Sequence, residues 1–217
     1  MKSPGARGVR KGRIVFAFVA STIIAGGLYY ALVSGGRGGF PTNSAGSGAA
    51  LIGGPFTLVD QSGAQRSDLD FRGKLMLIYF GYTHCPDACP TALQSMTDAI
   101  DTLGERGAGV ESIFITVDPA RDTPALLKRY LESFHPRMVA LTGDESAIVG
   151  VAKTYRIFYT KAKDQHAAAG AAQSSNQDYL IDHSSFIYLM GRDGRYLTHY
   201  PGNASPEQLA EGIRKFL

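Results

Sequence analysis

The sequence predicts an α/β fold, with a central mixed sheet flanked by helices, from residue 56 to the C-terminus. Three observations support this prediction. Apolar runs of strand length alternate with segments of helical periodicity. The run at 75–80 is apolar or aromatic throughout, as expected for a central strand that is buried on both faces. A turn sequence at 191–194 separates two further apolar segments, which predicts a closing β-hairpin.

The individual elements follow in order along the chain. Strands are predicted at 56–59, 75–80, 113–117, 138–141, 185–190 and 196–200. Helices are predicted at 89–103, from 124 to about 134, at 145–155 and from about 205 onward. Apolar residues recur at helical spacing from Leu93 to Leu103, and Gly104 ends that helix. Thr123 and Pro124 supply the cap and the first residue of the next helix.

The N-terminal region predicts a membrane anchor. Residues 14–33 carry no charged side chain, and a segment of this length is about what a helix needs to cross a bilayer. The basic tail at 1–13 then stays in the cytoplasm, and the rest of the chain faces the periplasm. The alternative, a cleavable signal peptide, fits less well because 31–35 is a poor cleavage site. Residues 34–55 are rich in Gly and Ser and predict a flexible linker to a domain at 56–217.

Charge excludes one broad class of function. The whole chain has a formal net charge of +3. The basic excess belongs to the tail and linker, since every acidic residue lies at or after Asp60 and the exported part is mildly acidic. Nucleic-acid binding is therefore not expected. A low-complexity stretch at 161–179 predicts a surface insertion in the domain.

Cys85 and Cys89 are the two cysteines of the chain, and they follow the predicted strand at 75–80. Their i, i+4 spacing predicts that both sulfurs lie on one face of a helix start, where free backbone N–H groups favour the thiolate. The pair could ligate a soft metal such as copper, or cycle between dithiol and disulfide. A purely structural disulfide is the weaker alternative, because so short a loop removes little unfolded-state entropy. With this reactive turn at the end of a central strand, the predicted fold is thioredoxin-like.

Three segments together resemble the Sco/SenC family: residues 80–90, 117–124 and 182–185. The resemblance implies a membrane-anchored thioredoxin-fold protein in which Cys85, Cys89 and His183 bind copper, as Cu(I) or Cu(II). It implies docking with subunit II of cytochrome c oxidase, whose dinuclear copper centre such a protein helps to load. Such a metallochaperone is not an enzyme in the turnover sense. Other copper chaperones or thiol reductants of the periplasm are the further partners expected.

The family also contains thiol reductants and redox sensors, so an extracytoplasmic thiol–disulfide oxidoreductase is the alternative function. A thiol peroxidase is a third hypothesis, but Thr83 is out of place for its Thr-x-x-Cys pattern. His84 is left out of the ligand set, because consecutive residues at a helix start point in different directions.

Three carboxylates are candidates for a place around the metal. Asp182 could orient the ring of His183. Asp118 could lie beside the site or only close a turn, and the same holds for Asp122. Asp87 is expected to lie exposed at the mouth of the site, and the internal methionines are expected to pack in the core.

Overall fold

The apolar run at 75–80 forms the central strand of the computed structural model, which describes residues 52–162 and 179–217. The described strands are β1 (Thr57–Asp60), β2 (Gln65–Ser67), β3 (Leu75–Gly81), β4 (Val110–Thr116), β5 (Val139–Thr142), β6 (Tyr159–Lys161), β7 (Ile181–His183), β8 (Phe186–Met190) and β9 (Tyr196–Pro201). The described α-helices are α1 (Ala88–Leu103), α2 (Pro124–Leu131), α3 (Glu145–Thr154) and α4 (Pro206–Arg214). Short 3-10 helices cover Asp68–Phe71 and Gly104–Gly109.

Seven strands form one mixed sheet in the order β2-β1-β5-β4-β3-β8-β9. Strands β3, β4 and β5 run parallel, whereas β1 and β8 pair antiparallel with β5 and β3. The closing hairpin is confirmed, because β8 pairs antiparallel with β9. This is the predicted central mixed sheet, and it leaves the C-terminal ends of β3 and β4 side by side at one edge.

Helices and their flanking residues cover both faces of the sheet. Successive residues of a strand point to opposite faces. At the end of β3, Gly81 lies against Cys89 on α1. On the other face, the ring centroid of Phe80 lies 5.3 Å from that of Tyr155, the residue directly after α3. Helices α1 and α4 pack against each other. The methionines at 76, 96, 138 and 190 are buried in the core, as predicted.

The predicted cap at Thr123 is confirmed, and the helix that follows it is shorter than predicted. The side chain of Thr123 accepts a hydrogen bond from the N–H of Leu126, and Ser205 caps α4 in the same way. Helix α2 ends at Leu131, a few residues earlier than predicted. The N–H of Phe134 bonds to the carbonyl of Leu131 in a tightened last turn, and Pro136 prevents continuation of the helix.

The short strands β2, β6 and β7 were not predicted, because three residues carry no readable apolar pattern. Strands β6 and β7 pair antiparallel in a separate two-stranded sheet. They flank the insertion predicted at 161–179, of which 163–178 lies outside the described residues.

The predicted tail, anchor and most of the linker, residues 1–51, also lie outside the described residues. Across 52–162 and 179–217, none of the helices combines the length and the apolar character that a membrane crossing requires. The last linker residues are attached to the domain, since the N–H of Gly53 donates to the carbonyl of Thr154 at 2.9 Å.

Candidate metal centre

The two cysteines lie at the junction of β3 and α1, in different backbone environments. Helix α1 begins at Ala88, so Cys89 is helical and Cys85 lies in the preceding turn. The expectation that both sulfurs lie on one face of the helix start is therefore wrong for Cys85, which precedes the helix. The cause is Pro86, because a residue that precedes proline is disfavoured in the helical conformation. The two Sγ atoms still lie within 4.8 Å of each other, and the N–H of Cys89 donates to the Cys85 Sγ atom over 3.4 Å.

Gly81 allows the close approach of helix and strand. A Cβ atom at this position would lie 2.7 Å from the Sγ atom of Cys89, closer than packed atoms tolerate. The glycine thus lets α1 lie directly on β3, and Cys89 is fully buried there. Cys85 is half-buried, so one sulfur faces the core and the other is accessible.

His183 comes from the separate two-stranded sheet. The sequence suggests a loop before the strand at 185–190, but His183 is the last residue of β7 and pairs with Tyr159 of β6. Its Nε2 atom lies 3.5 Å from the Sγ atom of Cys89, 94 positions away in sequence. The ligand atoms of Cys85, Cys89 and His183 all lie within 4.8 Å of one another. Among the described residues, this is the group of His, Cys, Asp and Glu side chains able to share one ion.

The tautomer of His183 suits ligation. Its Nδ1 atom lies 3.1 Å from the carbonyl oxygen of Ser184, an acceptor, so Nδ1 carries the proton. The lone pair of Nε2 then points toward the sulfurs. The rings of Tyr79 and Tyr82 contact the imidazole edge to face, at centroid distances of 6.1 and 6.0 Å. These contacts orient the ring as the outer partners of metal ligands do.

The electrostatics of the pair are asymmetric. A hydrogen bond from the thiol of Cys89 lowers the pKa of Cys85 to about 3, and the backbone N–H groups of Asp87 and Cys89 act in the same direction, against burial. The same hydrogen bond, together with burial, raises the pKa of Cys89 above that of an ordinary thiol. The accessible sulfur is therefore a thiolate at neutral pH, which is the form that binds metal and attacks disulfides.

The carboxylates named from the sequence lie around this centre in different ways. Asp87 is exposed at the start of α1, as predicted. Asp182 is exposed on β7, one position from His183, and neighbouring strand positions point to opposite faces. The proton on the His183 ring faces the Ser184 carbonyl instead. Asp118 is buried and accepts hydrogen bonds from Arg121 and from the hydroxyl of Tyr179.

Asp122 stabilises the cysteine turn, which is the segment at 83–89 that carries both sulfurs. It is fully buried and accepts hydrogen bonds from the N–H of Thr83 at 3.0 Å and from the hydroxyl of Thr116 at 2.6 Å. Burial raises the pKa of Asp122, although these hydrogen bonds act in the opposite direction. His84 is exposed, and its Nδ1 atom lies 3.1 Å from the hydroxyl of Thr83, so it stands apart from the three-ligand group.

Sequence reasoning missed Tyr82 and Tyr179. Tyr82 stands within the cysteine segment, and its hydroxyl accepts a hydrogen bond from the N–H of Ile181 on β7. Tyr179 lies at the end of the low-complexity stretch, where no periodicity marks it. An aromatic residue beside the reactive turn was the available signal for Tyr82, whereas no local signal existed for Tyr179.

A family model described as SCO1/SenC matches residues 44–217. The chain belongs to the SCO1/SenC family. A SCO2-like protein of Rickettsia prowazekii is 42% identical over 160 residues, which is 74% of each protein.

Solved structures of relatives show the same fold. Bradyrhizobium japonicum ScoI, solved with copper bound, is 42% identical with a TM-score of 0.67, over 76% of this chain and 99% of that one. BsSco, described as a cytochrome c oxidase assembly protein of the Sco family with a disulfide switch, is 26% identical with a TM-score of 0.57, over 77% of this chain and 92% of that one.

Proposed function

We propose that this protein binds one copper ion through Cys85, Cys89 and His183 and serves the assembly of cytochrome c oxidase. The single observation that carries the proposal is the convergence of the three ligand atoms within 4.8 Å. Membership of a family that includes copper-bound ScoI supports copper as the metal. In this proposal the ion is cargo, delivered to the dinuclear copper centre of oxidase subunit II.

The donor set suits copper in both oxidation states. Soft thiolates select Cu(I), and imidazole accommodates Cu(I) and Cu(II) alike. A structural zinc site is closed by four protein ligands, whereas the group formed by the described residues has three. Cys85 is half-buried, so a ligand from a partner can approach the ion from the solvent side. A three-ligand site with one accessible thiolate favours transfer over permanent storage.

The location that fits this role is the periplasmic face of the inner membrane. The uncharged segment at 14–33 would anchor the chain with its basic tail in the cytoplasm. The segment at 34–55 would then tether the copper-binding domain near a membrane-bound acceptor. Copper would reach the domain from another periplasmic chaperone, and thiol reductants would keep the cysteine pair reduced.

The asymmetry of the cysteines supports a second candidate function, thiol–disulfide exchange. The pKa of the half-buried Cys85 is lowered, whereas Cys89 is fully buried with a raised pKa. An accessible attacking thiolate beside a buried partner thiol is the arrangement that disulfide exchange requires. In this role the protein would reduce the cysteines of the copper acceptor, and so prepare the same centre.

The test is a titration of the purified, reduced protein with Cu(I) and with Cu(II). We expect one copper ion per chain, loss of tight binding of both ions when either cysteine is replaced, and loss of tight Cu(II) binding when His183 is replaced. Binding of one Cu(II) ion at the wild-type affinity after replacement of His183 would contradict the three-ligand site. Retained disulfide exchange without any copper binding would favour the second candidate.

A further inference from the structure

The residue that completes the candidate metal centre comes from a small substructure outside the main sheet. Strands β6 and β7, here called the histidine arm (Tyr159–Lys161 and Ile181–His183), pair with each other and not with the seven-stranded sheet. Strand pairing therefore does not fix His183 directly against the cysteines, although β7 leads within three residues into β8, which pairs with β3. Two sets of side-chain contacts hold the arm itself against the cysteine turn.

Tyr82 provides the first contact. It directly precedes the cysteine turn, and its carbonyl accepts a hydrogen bond from the N–H of Cys85. Its hydroxyl accepts a hydrogen bond of 3.1 Å from the N–H of Ile181, a residue that lies two positions before His183. Its ring packs against the imidazole of His183. One side chain thus joins the cysteine turn to the histidine arm.

A cluster of Asp118, Arg121 and Tyr179 provides the second contact. Asp118 lies just after β4, is buried, and accepts hydrogen bonds from the Nε atom of Arg121 and, at 2.6 Å, from the hydroxyl of Tyr179. The guanidinium carbon of Arg121 lies 3.6 Å from the ring centroid of Tyr179 and 5.7 Å from that of Tyr82. The cluster therefore connects the end of the main sheet, the residue that leads into β7, and Tyr82.

The strength of this cluster exceeds that of a surface contact. Hydrogen bonds to an ionised acceptor are about twice as strong as neutral ones, and Asp118 is only 3% exposed. The ammonium of Lys161, on β6, lies 4.2 Å from the Tyr179 ring, on which Arg121 also stacks. Both strands of the arm are thus tied to one aromatic ring.

We propose that Asp118, Arg121 and Tyr179 form a latch that holds the histidine arm on the cysteine turn and thereby positions His183 for the metal. These are positioning residues, since the contacts described above tie them to the arm and to one another. The inference rests on the proposed role of His183 as a ligand. In this proposal Asp118 holds the histidine arm in place. This role replaces the position beside the metal that the sequence suggested for Asp118.

The first test uses the metal-free, reduced protein and the substitution Tyr179→Phe, which removes one hydroxyl and keeps the ring. We expect the amide of Ile181 to exchange with solvent about tenfold faster, the factor for loss of one hydrogen bond to a charged group. The ring resonances of His183 should also move, because they sense the rings of Tyr79 and Tyr82. Amides of β4 should keep their exchange rates. An unchanged Ile181 amide would overturn the latch.

The second test measures Cu(II) binding in a double-mutant cycle with His183→Ala. If the latch acts through His183, Tyr179→Phe weakens Cu(II) binding about tenfold and has no effect once His183 is absent. The Cu(II) absorption and electron paramagnetic resonance spectra should change with the affinity. Equal weakening in both backgrounds, or none in either, would overturn the proposal.

The matched control is Tyr196→Phe, which removes a hydroxyl that contacts His199 on β9 and leaves the histidine arm intact. It should change neither Ile181 exchange nor copper binding, and a change equal to that of Tyr179→Phe would also overturn the latch. A wild-type protein that binds no copper would instead contradict the proposed function. In that case the exchange rate and the His183 ring resonances alone decide for or against the latch.

Discussion

The cysteine turn and the histidine arm form the two halves of the candidate site, and they are held in different ways. The cysteine turn directly connects β3 to α1, and at its base the N–H of Val117 donates to the carbonyl of Gly81 at 2.8 Å. The histidine arm pairs only with itself in the described structure and reaches the site through side chains. The sulfurs are therefore set by the main sheet, whereas the imidazole depends on long-range side-chain contacts and on the short link from β7 to β8.

This difference has a chemical consequence. Two thiolates can hold Cu(I) by themselves, while the imidazole matters most for Cu(II). A change in the arm should therefore alter the preference between oxidation states without removing the metal. A change in the cysteine turn should affect both states together.

The largest expected effect concerns the reactivity of Cys85. Because its pKa is lowered to about 3, Cys85 is a thiolate throughout neutral and mildly acidic pH. The rate at which iodoacetamide alkylates Cys85 should be nearly constant from about pH 5 to 8. Over the same range the alkylation rate of an ordinary thiol rises about a thousandfold. Peptide mapping by mass spectrometry measures this rate. In Cys89→Ala the main cause of the shift is lost, so the rate should rise with pH. A steep rise in the wild-type protein would contradict the asymmetry.

The next effect separates the two halves. His183→Ala should weaken Cu(II) binding by more than about a hundredfold, above the range known for partners of ligands. Disulfide exchange should stay within about twofold, because the cysteine turn is unchanged. His199→Ala, which removes an exposed histidine on β9, serves as the control and should retain copper. If His183→Ala bound Cu(II) at the wild-type affinity, the histidine arm would not contribute a ligand to the site.

A smaller effect tests the support of the cysteine half. Gly81→Ala would place a Cβ atom 2.7 Å from the Cys89 sulfur, so we expect a loss of about 1–3 kcal/mol in the free energy of unfolding. Urea unfolding measures this loss. Gly150→Ala is the matched control, because a Cβ atom there meets nothing within 4 Å on α3 and should stabilise the helix by about 0.5–1 kcal/mol. Equal stability of the two variants would mean that Gly81 is not a close-packing position.

The smallest effect concerns Asp182. Its side chain is exposed, and the Nδ1 atom of His183 faces the Ser184 carbonyl, so Asp182→Asn should change copper affinity by less than about threefold. The same competition titration used for His183→Ala measures it. A tenfold loss would restore the hypothesis that Asp182 orients the imidazole.

The sequence by itself determined the long elements and the cysteine half of the site. The strand at 75–80, the helix that contains Cys89, and the cap at Thr123 were all predictable. Each of these depends on residues within about four positions of one another, through apolar periodicity, capping hydrogen bonds or turn residues. The membership of Cys85 and Cys89 in one site followed from their spacing.

Tertiary structure alone decided how the site is completed. The resemblance named His183, but only the fold shows that it lies on β7, 3.5 Å from a sulfur 94 positions away. The same holds for the bond from Tyr179 to Asp118, which spans 61 positions. A three-residue strand carries no readable period, and a contact between distant residues leaves no local pattern, because its energy is gained only after the chain has folded.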